Sequence, residues 1–431
     1  MKTIKALSVW GLILIGSLFF IGLLGISGAD PTAAIGVTWG LGIPILFGFA
    51  QAIGSKGQII FQQETTFKTD PGSPDAKKLH FVSEGLKLSR ELLTTNIIRS
   101  NRNPVMPVRG NIDVAGSIST HLQVYQLGSI LKGLLGASRT TSVHAVSTAY
   151  ALNALVTPAT ANGYYYKATA AGTSAATAPT WPTVIGNTVV DGTVTWRCEG
   201  VKAASAYVYE LFIGDAVPSF LIEKGFTDIA QYFKYNGCKI NKAGLSVTPA
   251  GFQEMSFDII GAKETVGSSS FDSTPVDGSY RAFDGFSIAV IQEGGANIAN
   301  VSGIDGLSIE NNLDGSVYVV GGAGERNSLP EGVVKISGTV KAMFENLTLY
   351  TKAINNTESS LKVAYKFGDG AGTANNEYLE FYIPELKYSP NAPVISGPTG
   401  IYTELPFEAY YENDAAASAI QILIKNTETA L

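Results

Sequence analysis

Apolar and polar residues alternate with a period of two along most of the chain, which is the pattern of half-buried β-strands. Residues 239–258 read as a strand, a Pro-Ala-Gly turn and a second strand, and residues 386–410 repeat this order around a Gly-Pro-Thr-Gly turn. The spacing changes to i, i+3, i+4, i+7 over residues 122–135, which predicts a helix. The pattern therefore predicts a mainly β protein with a flanking helix.

A second apolar stretch occupies the corresponding place later in the chain. It covers residues 344–350 and includes Leu361 and Val363. Its spacing is less regular than that of the first stretch. We expect it to provide the flanking helix of the second half.

The N-terminus differs from the rest of the chain. Residues 8–27 carry no charge and are long enough to span a bilayer, and two lysines precede them. Residues 32–53 are again apolar, with Gly and Pro interruptions. We interpret residues 1–53 as a separate segment with two alternatives. It is either an anchor or leader, or it lies upstream of a mature protein that starts near Ala50, after a mis-assigned gene start.

Two stretches of the remaining chain each resemble a later stretch, and the separation along the sequence is nearly the same for both. Residues 85–89 resemble residues 306–310, about 221 residues on, and residues 109–118 resemble residues 331–340, about 222 residues on. In both copies Ile or Val alternates with polar residues around two glycines, which predicts a strand bent or bulged at glycine. Because the hairpins at 239–258 and 386–410 follow in the same order, the chain reads as a duplication.

This duplication predicts a domain organisation. The first unit comprises residues 54–141 and 205–266, and the second comprises residues 280–431. A Gly- and Ser-rich linker at 267–279 joins them. Gly116 and Gly338 are expected to occupy equivalent bends in the two units.

Residues 142–204 interrupt the first unit and read as a small inserted β module. The segment is rich in small residues and turns, with aromatic strands at either end. Its bulky residues are Tyr164, Tyr165, Tyr166, Trp181 and Trp196. They suggest either a surface that stacks a sugar or the small core that such a module needs.

Composition excludes several classes of function. The chain has 431 residues and a formal net charge of −6, which argues against gripping nucleic acid by counterion release. Two cysteines cannot form a disulfide framework or a four-cysteine zinc site, and three histidines leave little for metal chemistry. We expect the histidines to be surface or loop residues and the cysteines to pack as small hydrophobic residues. Acidic pairs such as Glu210 with Asp215 are expected to be solvated.

The sequence also shows no catalytic arrangement. The glycine-rich stretches at 321–324 and 368–372 are not followed by Lys-Ser or Lys-Thr and read as hairpin turns. No nucleophile elbow occurs. We therefore expect no enzymatic activity, no cofactor and no metal.

Several segments, taken in order, resemble those of one family. They are residues 62–67 (QQETTF), 82–86 (VSEGL), 97–99, 110–118, 218–226 (PSFLIEKGF), 235–240 (YNGCKI), 407–409 and 420–426. Together they resemble the major tail tube proteins of phages with long, non-contractile tails. The inserted module resembles a small Gly/Trp-Pro module of phage tail and tailspike proteins. The apolar N-terminus departs from this family.

The resemblance implies a structural virion protein without catalysis. It implies β-sandwich units with a flanking helix that form rings around a β-barrel lumen, with loops of one ring ordering on the next. Two units in one chain then imply a homotrimer with pseudo-sixfold symmetry. The genome passes without specific binding, so the inner wall is expected to be poor in Lys and Arg.

The resemblance also implies partners and a location. The partners are other copies of the chain and other tail proteins, such as the tape measure, the tail terminator and the baseplate. The location is the virion tail, after assembly in the host cytoplasm. An alternative is a membrane-anchored surface β protein, in which residues 8–27 are the anchor and the aromatic module binds a host surface glycan.

Overall fold

The structure is a computed structural model that describes residues 35–38, 44–47, 51–298, 301–395, 397–412 and 415–431. Strands make up 47% of the chain and helices 6%, with large antiparallel sheets, so the prediction of a mainly β protein is confirmed. The elements, in chain order, are β1 (Ile35–Thr38), β2 (Pro44–Phe47), a 3₁₀ turn (Gly54–Lys56), β3 (Gly57–Gln63), β4 (Lys77–Leu79), β5 (Ser83–Glu84), β6 (Lys87–Leu93), β7 (Val108–His121), α1 (Leu127–Leu135), β8 (Gly136–Thr140), β9 (Ser142–Val143), β10 (Ala149–Tyr150), β11 (Leu155–Thr157), β12 (Tyr164–Ala170), β13 (Gly172–Thr173), β14 (Thr188–Asp191), β15 (Val194–Val201), β16 (Tyr207–Ile213), β17 (Phe220–Phe226), β18 (Gln231–Val247), β19 (Glu254–Gly261), β20 (Lys263–Gly267), a 3₁₀ turn (Gly285–Ser287), β21 (Ile288–Glu293), β22 (Ala296–Asn297), β23 (Val301–Glu310), β24 (Lys335–Met343), α2 (Thr348–Ile354), β25 (Ser359–Lys366), β26 (Tyr378–Tyr388), β27 (Tyr402–Ala409) and β28 (Gln421–Asn426).

Seven strands form one long antiparallel sheet in the order β6–β7–β19–β18–β23–β24–β27. A row of directly opposed apolar residues crosses five of them, and all five side chains are buried: Ile118, Phe257, Ala243, Ile309 and Ile336. Because side chains alternate between the two faces of a sheet, this row defines the buried face. Residues one position away therefore lie on the opposite face.

A second antiparallel sheet has the order β8–β16–β28–β26–β25–β21–β22. The two sheets are joined at one corner, where the end of β26 pairs with β27. Apolar side chains of both sheets and of α1 belong to one core cluster. The chain thus has the layered architecture expected of β-sandwich units with a helix at the side.

Helix α1 is shorter than the apolar spacing predicted. Its side chains are buried except at Lys132, and it ends at Gly136, whose φ of 89° is left-handed. Leu122 and Val124 precede the helix, because the backbone N–H of Leu122 bonds to Gln253 O (2.7 Å) and continues the strand pairing. The helical spacing over residues 122–126 was therefore misleading.

The second apolar stretch was also only partly helical. Helix α2 begins at Thr348, four residues after the stretch begins. Leu361 and Val363 lie in β25, where they are opposite Ile383 and Phe381 of β26. They are buried residues of a strand in the second sheet and do not belong to the helix that the apolar stretch predicted.

The inserted residues fold into a five-stranded sheet in the order β14–β15–β12–β11–β9. The segment leaves and rejoins the chain at one end of the β8–β16 pair, where Thr140 lies opposite Tyr209. It has a buried cluster of its own: Val156, Tyr166, Ala168, Val194, Trp196 and Cys198. The module is therefore attached at the open end of a hairpin.

The segment predicted to be a linker is held at several points. Asp272 is buried and accepts hydrogen bonds from Ala76 N (3.0 Å) and Thr274 N (2.8 Å). Phe271 N donates to Glu223 (2.8 Å). Residues 267–279 are therefore held against both parts of the first proposed unit, at Ala76 and at Glu223.

The chain divides into two compact units, of which the smaller comprises residues 1–57 and 226–230. Within it β1 and β2 pair antiparallel, and Ile53 N donates to Asp228 (2.7 Å). Residues 8–27, for which the sequence suggested an anchor, lie outside the described residues. Among the residues that are described, no helix is long and apolar enough to cross a membrane.

Candidate functional surface

The face of the long sheet opposite the core carries a row of small residues. Directly opposed across five strands are Ser119, Ser256, Gly244, Ser308 and Ser337. All of them are partly exposed. This face is therefore smooth along that row, with short hydroxyl and glycine surfaces instead of long side chains.

A neighbouring row on the same face alternates in charge. Asp258 lies opposite Lys242, Lys242 opposite Glu310, and Glu310 opposite Lys335. The Lys242 and Glu310 charges are 3.7 Å apart. Each lysine of this row therefore has carboxylates beside it, which offsets its charge at the surface.

Lys335 of this row and Lys341, another lysine of β24, are paired with acids of β27. Lys335 Nζ lies 3.2 Å from Glu408, and Lys341 Nζ lies 2.7 Å from Glu404. A hydrogen bond to Glu404 raises the pKa of Lys341. Exposed pairs of this kind add little stability, but they leave few uncompensated positive charges on this face.

Gly116 and Gly338 both lie where another segment approaches closely. A Cβ atom on Gly116 would lie 2.3 Å from Gly85 O and 2.5 Å from Leu86 Cα. On Gly338 it would lie 2.9 Å from the Phe407 ring and 3.2 Å from Leu307 Cα. Neither glycine has a left-handed φ, so close approach, and not backbone conformation, requires glycine at these sites.

The aromatic residues of the inserted module divide into two groups. Trp196 and Tyr166 are fully buried, and Tyr165 is buried on the other side of its sheet beside Val208. Tyr164 and Trp181 are partly exposed at the margin of the module's core. A surface-binding role for this set stays a prediction, and in this arrangement only Tyr164 and Trp181 are accessible for it.

His144 lies in a loop, one of the two places expected from the sequence, but its side chain is not at the surface. Its side chain is buried, with Nε2 2.8 Å from Asp191 Oδ2, and Trp196 Nε1 donates to the same oxygen (3.0 Å). Burial acts to raise the pKa of Asp191, but the bonds from Trp196, Ala175 N and His144 outweigh it and lower that pKa. The histidine thus belongs to the polar part of the module's core.

Glu210 is likewise buried and not solvated. Lys167 Nζ of the inserted module lies 2.9 Å from one carboxylate oxygen, and Arg139 lies 3.4 Å from the other. The prediction failed because the module folds back over β16 and brings its own lysine to Glu210. The two cysteines are buried as expected.

A cleft of about 700 Å³ separates the inserted module from the second sheet. Lys425 lies in its wall, 4% exposed, with Nζ 3.1 Å from Val201 O and 4.2 Å from the centre of the Tyr378 ring. Burial lowers the pKa of this lysine to about 8, against the attraction of Glu380 and Asp369.

Two buried charged residues had no role in the sequence analysis. Glu64 accepts hydrogen bonds from Ser219 Oγ (2.7 Å), Gly237 N (2.9 Å), Lys68 N (3.0 Å) and Asn236 Nδ2 (3.2 Å). It lies in the QQETTF segment that carried part of the family resemblance. That resemblance was the available signal, but it did not assign the residue a role.

The second is Arg326, which is only 6% exposed. Its guanidinium donates to Gly261 O (2.7 Å) and Val114 O (3.1 Å) and forms an ion pair with Asp113. It follows the glycine-rich turn at 321–324. Nothing in the local sequence distinguished this arginine from an exposed one.

A comparison with known protein families gives a match over most of the chain. The sequence profile of a family described as phage tail tube protein matches residues 54–409. A comparison with curated proteins found no match.

Proposed function

We propose that this chain, which belongs to the phage tail tube protein family, polymerises as stacked rings into the tube through which the phage genome passes. The protein is then a structural component of the tail of the virion, assembled in the host cytoplasm, and has no catalytic role. Its partners are other copies of itself and the tape measure, tail terminator and baseplate proteins of a long, non-contractile tail. Family membership does not favour the alternative of a membrane-anchored surface protein.

The pairing of the strands supports two tandem units. Leu88 lies opposite Val114 in the β6–β7 pair, and Ile309 lies opposite Ile336 in the β23–β24 pair. These are corresponding positions of the two copies. The same hairpin with the same register therefore occurs twice in the chain.

The next strand is also repeated. Gly116 of β7 lies opposite Ile259 of β19, and Gly338 of β24 lies opposite Phe407 of β27. In both copies the glycine lies against the Cα of a leucine, Leu86 or Leu307, at corresponding positions.

The single observation that carries the proposed ring is the pairing of β18 with β23. Ala243 lies opposite Ile309 and Leu245 opposite Leu307, so strands of both proposed units share one sheet. Strand β6 of a neighbouring chain can pair with the β26–β27 hairpin in the same way as β23 pairs with β18 within one chain. Three chains with two units each then close a ring of pseudo-sixfold symmetry and leave no edge of the long sheet unpaired.

The polar face of the long sheet suits the wall of the lumen. Its small residues offer no bulky obstruction, and its lysines are paired with carboxylates. DNA phosphates would meet few uncompensated cations there, so the genome would slide without being gripped. The core and the second sheet would then lie further from the axis.

We expect deletion of the inserted module to leave tube assembly intact. Its ends meet where Thr140 lies opposite Tyr209 and Thr141 N bonds to Val208 O, so a two-residue Asn-Gly turn can replace residues 142–207 without moving the rest of β8 or β16. The module would project from the outer surface, where a host surface glycan is a further potential ligand. Negative-stain microscopy should show tubes of the same lumen diameter but smaller outer diameter. Loss of tubes, or density lost from the lumen, would contradict this placement.

The proposed function itself is tested by purifying the full chain and imaging it over a range of concentration and salt. Hollow tubes of regular axial repeat are expected. A protein that stays monomeric under every condition would contradict the proposal.

A further inference from the structure

The loop between β6 and β7, residues 94–107, is an exposed arm with apolar side chains. Ile98 is 98% exposed and Met106 is 82% exposed. The hydrogen bonds of Arg99, to Asn103 O (3.0 Å) and Pro104 O (2.9 Å), stay within the arm. Apolar side chains clustered on an exposed loop of this kind mark a contact surface.

The second copy shows what the corresponding loop does. Residues 315–329, here called the strap, connect β23 and β24. The arm follows the Leu93–Val108 strand pair, and the strap follows an equivalent contact from Asp314 N to Pro330 O (2.9 Å). The two loops therefore begin and end at matching positions.

The strap folds back across β7 of the first proposed unit. Ile112 N donates to Gly324 O (2.7 Å), and Tyr318 Oη donates to Ile112 O (2.9 Å). Arg326 completes this contact by its bonds to Val114 O and Gly261 O. The strap of the second proposed unit thus covers part of β7 of the first proposed unit within the same chain.

We propose that the arm makes the same contact between chains: it folds across the segment that leads into β24 of a neighbouring copy of this chain, over Val333 and Val334. These residues correspond to Asn111 and Ile112, which the strap covers in the first unit. This inference rests on the proposed ring, in which the first unit of one chain follows the second unit of its neighbour.

The acceptor surface has the complementary character. Val333 is 88% exposed, and the Glu408 side chain beside this strand is 70% exposed. The arm and the start of β7 carry three arginines, Arg99, Arg102 and Arg109, with no acidic residue between Glu91 and Asp113. A basic, apolar arm therefore matches an apolar surface with an exposed carboxylate.

The test is disulfide trapping between different chains. Chains with Ile98→Cys are mixed with chains with Val333→Cys and assembled. The native Cys198 and Cys238 are buried, so they give little background cross-linking. The matched control pairs Ile98→Cys with Val320→Cys, because Val320 is a fully exposed valine of the strap. Mild oxidation should link the first pair into dimers at least about tenfold more than the control, and only after assembly, because cross-linking requires proximity.

Three results would overturn the inference. One is tubes that form normally but give no link between Ile98→Cys and Val333→Cys chains. Another is equal linking to Val320→Cys. The third is that added DNA, and not assembly, protects the Ile98→Cys thiol from alkylation. If the wild-type chain forms no tubes at all, the proposed function fails first and the inference falls with it.

Discussion

Gly116→Ala is expected to destabilise the protein by about 3 kcal/mol or more, because a Cβ would lie 2.3 Å from a backbone oxygen. The neighbouring atoms, Gly85 O and Leu86 Cα, lie between β5 and β6, and both of these strands pair with β7, so the segment cannot move away without breaking those contacts. Gly338→Ala meets the Phe407 ring first, and a ring can turn slightly. We expect a smaller loss there, about 1–2 kcal/mol.

The control for this pair is Gly85→Ala, directly across from Gly116. A Cβ on Gly85 would be 3.7 Å from the nearest atom, an ordinary contact, so little change is expected. Urea unfolding of the three variants measures the difference. Valine tolerated equally at Gly116 and Gly338 would contradict equivalent bends in two units.

Glu64→Ala is expected to cost about 3–5 kcal/mol of unfolding free energy, because it removes the acceptor of four hydrogen bonds inside the protein. The donors left without a partner include the backbone N–H of Gly237, which has a left-handed φ of 64°. Glu64→Gln keeps the shape but points an NH₂ group at two donors, so an intermediate loss is expected.

Gln63→Ala is the matched control for Glu64, since Gln63 is the exposed neighbour in the same segment. Thermal or urea unfolding should place Gln63→Ala near the wild type and Glu64→Ala far below it. If Gln63→Ala and Glu64→Ala lower the stability to unfolding by the same amount, the carboxylate does not hold the QQETTF segment to β17 and β18.

Local alternation was enough to predict the strands of the long sheet. Val114 and Ile118, or Ile336 and Val340, point inward because a period of two places them on one face. The same reasoning failed at residues 122–126, where apolar spacing suggested helix but strand pairing of Leu122 took precedence.

The burial of charged residues could not be predicted in this way, because it depends on segments distant in sequence. Glu210 is buried only because the inserted module returns Lys167 to it, and Arg326 only because the strap crosses β7. The burial of His144 in its loop was not predicted for the same reason: its partner Asp191 is supplied by a later strand. In each case the partner is set by tertiary folding, which a local pattern does not report.

The central claim is that one chain supplies two adjacent places in a ring. The most direct measurement is image averaging of a tube, or native mass spectrometry of a soluble ring, to count the chains. The account predicts three chains per ring with pseudo-sixfold symmetry, and an intrachain β18–β23 contact alternating with its interchain counterpart. Six whole chains per ring would contradict it.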